Sequence, residues 1–529
     1  MFKFLKSITK SIFRGAKEGI KEEVKENPQF QKVVEKHPKT YFFLRKRLSK
    51  KEKYGLYFSI GTLIFLLFVY LFAKILFGYI NHNALVDLDV RALNIVKFFR
   101  NPSLNQEMLF ITYLGKWEIV ISGLLATTIL WSYLNCRYYA YLLIISVSGG
   151  ELFVWLTKNL VERARPSVLD ALYQENGYSF PSGHTFVAMS FYGLLGYLIF
   201  INLKNRILKS LTVVFFLFFI IAIGFSRVYL GVHWLSDVLA SFVGGIAWVT
   251  ILSTVFKTKQ RFGPRKTKEA CIPESSDQKT TILLLFFLFI VWISYVIYFY
   301  NTHPLPKNST LASNFSNEFL KNGEKIIIPE NDFPDKIFEL APRVSENIVG
   351  KPMEPINVII VGNKGQLFQI FKDAGWFQSD PLNLSNVWKL VAGTVLGRPY
   401  HNAPGVPSLW NALPNEIGFE KPTAKDSIKE REHVHFWNTP FFLSDGRPIW
   451  VGTAHFDQTV KLKASIYFST HTIDPAIDKE RERITNDLLG TKEVSLTREF
   501  QMVEPTLGQN QSGDAFFTDG KAEIFYLGN

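Results

Sequence analysis

Apolar residues along the chain come in seven charge-poor runs of about 18 to 25 residues, near 55–79, 110–134, 138–157, 183–202, 208–226, 235–256 and 281–300. Each is about long enough to cross ~30 Å of hydrocarbon, which predicts transmembrane helices. The second has an ambiguous start, because Lys116, Trp117 and Glu118 sit beside its apolar stretch. After Tyr300 the pattern becomes mixed and soluble, following a stretch with Pro304 and Pro306 that reads as a linker. There, residues 356–361 read as a buried strand and 366–374 as a helix ended by Gly375. Residues 463–469 read as an alternating strand and 476–489 as a charged helix. The pattern predicts a mainly α polytopic membrane helix bundle followed by a soluble α+β domain.

Composition localises the two halves further. A chain of 529 residues has room for two or more domains, and its 48 Phe, within 15% aromatic residues, belong largely with the apolar runs. Residues 1–53 hold 16 Lys and Arg against 6 Glu, so +10 of the net +13 sits in that segment. Phe2, Leu5, Ile8, Ile12, Phe13, Ala16, Ile20 and Val24 fall near helical spacing, with Lys3, Lys6, Lys10 and Arg14 between them. That combination suits an amphipathic helix on an anionic membrane surface rather than nucleic acid. A solvated, partly disordered basic tail is the equal alternative. No small-residue cleavage site follows the basic start, which disfavours a signal peptide.

Lys and Arg are retained on the cytoplasmic side, so the N-terminus, Arg137, the loop of Lys204, Arg206 and Lys209, and the basic loop at 257–280 are expected inside. The exception is Lys158, Arg163 and Arg165, which this alternation puts outside, where a charge cluster invites a functional explanation. The expected organisation is a basic cytoplasmic segment 1–53, a membrane domain 54–256, the loop 257–280, an additional transmembrane helix 281–300 and a periplasmic domain 301–529. Cys136 and Cys271 both fall inside as free thiols, too few for a disulfide framework or a thiolate metal cluster.

Three clusters carry chemistry: residues 158–166 (KNLVERARP), 181–184 (PSGH) and 226–237 (SRVYLGVHWLSD). A pair of spans returns the chain to the same face, so all three meet at the outer end of the bundle. They resemble the type 2 phosphatidic acid phosphatase superfamily, whose signature Lys-x6-Arg-Pro, Pro-Ser-Gly-His and Ser-Arg-x5-His-x3-Asp they match without a departure. The lead-ins Asn101-Pro102-Ser103-Leu104 and Ile111-Thr112-Tyr113-Leu114-Gly115 extend the likeness to roughly 55–256. The resemblance implies a six-helix phosphatase core plus one extra span, with His233 as nucleophile and His184 as acid, then base. It also implies a phosphohistidine intermediate and a metal-independent lipid phosphatase.

The chemistry of those residues agrees. A phosphoryl group in transfer carries negative charge on its equatorial oxygens, and Lys158, Arg165 and Arg227 can supply fixed cations. Ser182 and the Gly183 amide lie where the fourth span begins, and a helix start offers unpaired N–H groups to an anion. If the sixth span begins near His233, Asp237 lies one turn on and can hold the other imidazole nitrogen. The three clusters contain no carboxylate set suited to a divalent ion, so no metal and no cofactor are expected. Arg163 matches no obligatory position and reads equally as an interfacial anchor or a substrate contact. Glu151 reads as hydrogen-bonded to another helix.

In the outer domain His433 and His435 would share one strand face, with His455, Asp457, His471 and Asp474 as further possible metal ligands. Satisfied structural or surface polar residues are the preferred reading. The region from about Pro355 through His433-Val434-His435-Phe436-Trp437 and Asp457 to Asp478 is similar to the LssY C-terminal domain family, which implies architecture and no chemistry.

The expected substrate is a phosphorylated membrane lipid: undecaprenyl diphosphate, phosphatidylglycerol phosphate, phosphatidic acid or a lipid A phosphate. The expected place is a bacterial inner membrane, with the site periplasmic and the outer domain binding a glycan, an envelope protein or the substrate headgroup. A lipid phosphotransferase would use the same residues. A non-catalytic envelope scaffold or export component is the rival of another class, against which the intact clusters argue.

Overall fold

The computed structural model describes residues 28–49, 51–167, 171–262, 278–305, 325–396, 398–423, 430–460, 471–510 and 513–528. The apolar runs fold as the helices Leu56–Ile80, Arg137–Val161, Gly183–Asn202, Arg206–Tyr229, Leu235–Phe262 and Gln278–Thr302. All six contain stretches long and apolar enough to cross a membrane. Leu63, Phe218 and Phe286 are more than 60% exposed on them, an apolar surface suited to lipid and not to water. The chain is a multi-pass membrane protein.

The second run departs from the continuous helix expected at 110–134. It is a bent pair, Pro102–Tyr113 and Trp117–Tyr133, turned by 50°. The first member starts early because Asn101 caps it, its side chain accepting the Leu104 N–H at 2.9 Å, with Pro102 in the first turn. The break between them holds Gly115, where a Cβ would come within 2.8 Å of Ile223 and 3.2 Å of His184. Only glycine lets the chain pass so close to that histidine.

A helix absent from the sequence reading, Ala84–Phe98, precedes this pair and buries Asp89, Ala92, Leu93 and Asn94. Its Asp87, Asp89, Arg91 and Lys97 make it too polar for a hydropathy signal. It also receives the C-terminal domain, termed outer only for its expected side: Arg91 pairs with Glu346 at 2.7 Å, and Asn94 donates to the Ala412 carbonyl at 2.9 Å.

The outer domain is built on a mixed nine-stranded sheet. Its long central strands Arg431–Leu443 and Pro448–Val460 are antiparallel neighbours, and Val358–Val361 pairs antiparallel with the second and parallel with Lys521–Leu527. Side chains alternate between two cores. Ile359, Val361, Trp437 and Val451 enter one, while Val358, Ile360, Phe436 and Trp450 enter the other beneath the helices Lys364–Asp373 and Asp478–Gly490. Both faces being covered, all four residues of Val358–Val361 are buried, and the strand reads as an unbroken apolar run. The helix expected at 366–374 starts earlier because Asn363 and Gln366 form a capping box. The strand expected at 463–469 lies outside the described residues.

Helix Asp478–Gly490 buries Glu480, whose Oε1 has no hydrogen-bond partner among the described residues. Burial, then the nearby Glu432, pushes this carboxyl up to about 9, against the opposing pull of Arg483. A folded-state value above the unfolded one favours folding at low pH, and that contribution is lost as pH rises from about 4.5 through about 9. Glu480→Gln is therefore expected to stabilise the outer domain at pH 8 to 9 by more than about 1 kcal/mol, with little change at pH 4.5. Thermal melts of the full chain in detergent at the two pH values check this.

Candidate active site

The three clusters converge at one end of the helix bundle, the end against which the outer domain docks. His233 lies in the turn between Arg206–Tyr229 and Leu235–Phe262, and it is 1% exposed. Arg165 Nη1 stands 3.1 Å from His233 Nε2. A guanidinium can only donate, so Nε2 must present its lone pair and the ring proton must sit on Nδ1. On that side Ser179 Oγ lies 3.3 Å away and Asp237 Oδ2 3.5 Å. Ser179 in turn donates to Asp237 Oδ2 at 2.5 Å, so the aspartate holds the imidazole largely through the serine. Burial, then the Arg165 and Arg227 guanidiniums, keep the His233 imidazole well below its ordinary range and therefore neutral.

Asp237 sits at the first turn of its helix, as the spacing required, and accepts the Trp234 N–H at 2.9 Å. Arg163 holds it. This side chain is neither an interfacial anchor nor a substrate contact, as the sequence had allowed. It is buried, donates to Asp237 Oδ1 at 2.7 Å and to Asp89 Oδ2 at 2.6 Å, and lies over the Tyr79 ring. Asp89 also accepts from the Ser236 amide at 2.7 Å. One cation between two buried carboxylates thus fixes the start of Leu235–Phe262.

The cations expected for phosphate are placed differently from one another. Arg227 is fully buried, donates to Thr112 Oγ1 at 2.6 Å and to Tyr173 Oη, and pairs with Glu175. Arg165 pairs with Glu175 at 3.2 Å, while Lys158 donates to the Tyr178 carbonyl. His184 and Gly183 are partly exposed toward the site, and His184 Nε2 lies 4.0 Å from Glu175 Oε1. Ser182 departs from the expected role. It is fully buried, its hydroxyl accepts from the Thr185 hydroxyl at 3.0 Å and its carbonyl from Ser241 at 2.9 Å, so its side chain is packed under the helix start and not exposed to the opening. Glu151 is exposed on its helix and, among the described residues, has no hydrogen bond to another helix.

Sequence reasoning missed Glu175, Ser179 and Asp89. All three lie outside the signature, and only Ser179, two residues before Pro181, had a position that proximity could have flagged.

The chain matches the family model for the PAP2 superfamily over residues 122–261. Among curated proteins it is 30% identical over 180 residues to phosphatidylglycerophosphatase B of Bacillus subtilis, covering 34% of this chain and 88% of that protein. The chain belongs to the PAP2 superfamily. It is also 25% identical over 218 residues to undecaprenyl-diphosphatase of Sulfolobus acidocaldarius, covering 40% of this chain and 96% of that one. Among solved structures, the PAP2 type phosphatidylglycerolphosphate phosphatase of Bacillus subtilis matches at 25% identity and a TM-score of 0.33, over 38% of this chain and 98% of that chain. Residues 338–522 match the LssY C-terminus model. The membrane half is a PAP2 phosphatase domain, and the strand-rich half is an LssY C-terminal domain.

Within the outer domain, His433 and His435 do share a face of Arg431–Leu443, with His455 and Asp457 on the neighbouring strand. They are not surface residues. Arg431 joins Glu420 and Asp457 beside them, and among the described residues the His433 ring nitrogens have no hydrogen-bond partner. Among the described residues no group of three or more His, Cys, Asp or Glu is arranged to hold a metal ion. Asp474 caps a turn by accepting the Ala476 N–H at 2.9 Å, and the His471 side chain is outside the described set. His435 opens on a cleft of about 990 Å³ between the two halves, lined also by Tyr229, Phe225, Asp380 and Gly405.

Proposed function

We propose that this membrane lipid phosphatase hydrolyses a phosphomonoester or diphosphate of a membrane lipid through a phosphohistidine on His233. The carrying observation is the buried His233 imidazole with Nε2 3.1 Å from Arg165 Nη1 and 3.9 Å from Glu175 Oε2, while its other nitrogen lies 3.3 Å from Ser179 Oγ and 3.5 Å from Asp237 Oδ2. The Nε2 lone pair forms a bond to phosphorus as the bond from phosphorus to the lipid oxygen breaks. His184 gives that oxygen a proton. It then takes one from water, whose oxygen attacks phosphorus and releases His233 and inorganic phosphate. Arg165, Arg227 and Lys158 face the charge that develops on phosphorus, with the Gly183 amide at a helix start.

The relatives' substrates, a phosphatidylglycerol phosphate and undecaprenyl diphosphate, support a lipid phosphate reached laterally from the bilayer. The site and the outer domain share one end of the bundle, and Arg137, Lys204, Arg206, Lys257 and Arg261 lie toward the other. This supports a periplasmic site in a bacterial inner membrane. Phe42, Phe43 and Leu44, exposed beside Arg45, Lys46 and Arg47, support contact of the N-terminal segment with an anionic membrane surface; residues 1–27 of that segment lie outside the described set. The outer domain's cleft is the proposed place for a glycan, an envelope protein or the substrate headgroup.

Purified full-length protein in detergent with EDTA is expected to release phosphate from at least one member of a panel of lipid phosphates and diphosphates. A reporter active only outside the cytoplasm is expected to work after residue 529 and to fail after Lys268. Release that vanishes in EDTA would remove the metal-independent mechanism, and a reversed reporter pattern would remove the orientation.

A further inference from the structure

Glu175 occupies the middle of the constellation on which the proposed function rests. Its Oε1 pairs with Arg227 and accepts from Tyr173 Oη at 3.1 Å, and lies 4.0 Å from His184 Nε2. Its Oε2 is 3.2 Å from Arg165 Nη1 and 3.9 Å from His233 Nε2. One carboxylate thus touches the two guanidiniums that would neutralise a phosphoryl group, with one oxygen turned toward the nucleophile and the other toward the acid. These are the positions that a phosphate's oxygens would take. Burial disfavours this charge, but Arg227, and with it His184, His233 and Arg165, outweigh burial and hold the carboxyl far below its usual range.

The surrounding segment is bound by the same cations. Arg165 Nε donates to the Gly177 carbonyl at 2.9 Å and Nη2 to that of Asn176 at 3.3 Å, and Lys158 takes the Tyr178 carbonyl. Gly177 has φ +78°, a left-handed conformation with open space around it, so the turn after Glu175 is set by backbone need and not by packing. Two anions cannot share this site, because like charges in a half-buried pocket repel strongly.

We propose that Glu175 is an intramolecular occupant of the phosphate pocket, which any phosphate ligand must displace, and that it makes the site selective for lipid-borne phosphates over free phosphate anions. Inorganic phosphate has only its charge with which to compete for Arg165 and Arg227. A lipid substrate brings additional binding from its apolar chain and headgroup, which offsets the lost carboxylate pairing.

The test is inhibition by, and direct calorimetric binding of, inorganic phosphate to the full-length protein in detergent, for wild type, Glu175→Gln and Glu175→Asp. Glu175→Gln removes the charge and is expected to tighten phosphate binding by at least about tenfold, and to lower KM for lipid by less. Glu175→Asp keeps the charge but withdraws it by one methylene, and gives an intermediate shift if the amide variant does not fold. Unchanged or weaker phosphate binding in both variants overturns the proposal, as does a kcat loss of about a hundredfold or more with phosphate affinity unmoved, which would put Glu175 in the chemistry itself. Phosphate binding is read without turnover. The outcome is therefore separate from that of the phosphohistidine reading, which His233→Ala tests.

Discussion

His233→Ala is expected to reduce lipid phosphate hydrolysis by about four orders of magnitude or more, because alanine offers no lone pair to bond phosphorus in place of Nε2. The neighbours that stabilise charge would remain: Arg165 and Arg227 do not depend on the imidazole for their own pairing with Glu175 and the backbone. The residue of activity should therefore be that of a charged pocket without a nucleophile. His184→Ala separates the two half-reactions. Departure of a lipid alkoxide needs a proton, so monoesters should react slowly from the start. A lipid diphosphate leaves as a phosphate ester, a far better leaving group, so its phosphoryl group should still reach His233 and then wait there for a base. Brief mixing of the His184→Ala protein with a radiolabelled lipid diphosphate is expected to leave label on the protein, stable in alkali and lost in acid, as a phosphoramidate should be. Label on the His233→Ala protein, or acid-stable label on any form, would assign the nucleophile elsewhere.

The parts of this site that could be read in the sequence are those where chemistry and chain position coincide. His233 and Asp237 sit four residues apart across a helix start, and Lys158, Arg165, the PSGH run and Arg227 each lie where an apolar run ends or begins. Hydropathy placed all of these at one end of the bundle. What the sequence hid are groups brought in from far along the chain: Asp89 reaches Ser236 and Arg163 across roughly 150 and 70 residues, from an amphipathic helix whose charges conceal it in a search for apolar runs. Glu175 and Ser179 lie in a connecting segment where no periodicity applies. Ser182 was assigned by its motif to phosphate, and its buried hydroxyl here accepts from the Thr185 hydroxyl one turn on, a local pairing that the motif does not encode.

The outer domain was less legible for a related reason. The order of its strands is set by long-range pairing, with Val358–Val361 beside Lys521–Leu527, and no local pattern encodes that neighbourhood. Local signals survived where they are self-contained, as in the capped helix Lys364–Asp373 and the alternation that puts His433 and His435 on one face.

Arg163→Met is expected to be the most destabilising single substitution in the membrane half. The methionine keeps much of the volume and removes the charge that bridges Asp89 and Asp237, whose side chains are 2% and 0% exposed. Breaking a buried pair by deleting one partner costs about 3–5 kcal/mol, and here two carboxylates lose the same partner. In thermal melts this corresponds to a fall of about 10 °C or more for a domain of this size. Adding Asp89→Asn to Arg163→Met is expected to recover part of that loss, since an amide can still accept from the Ser236 amide without carrying a buried charge. Activity should not return with stability. Asp237 would still lack the guanidinium that fixes its Oδ1, and its hold on Ser179 and His233 depends on that orientation. A double variant that melts no higher than Arg163→Met would show that Asp89 is not the charge left stranded. Recovery of full activity in the double variant would show that Arg163 acts only on folding, and that Ser179 and Trp234 alone suffice to aim Asp237.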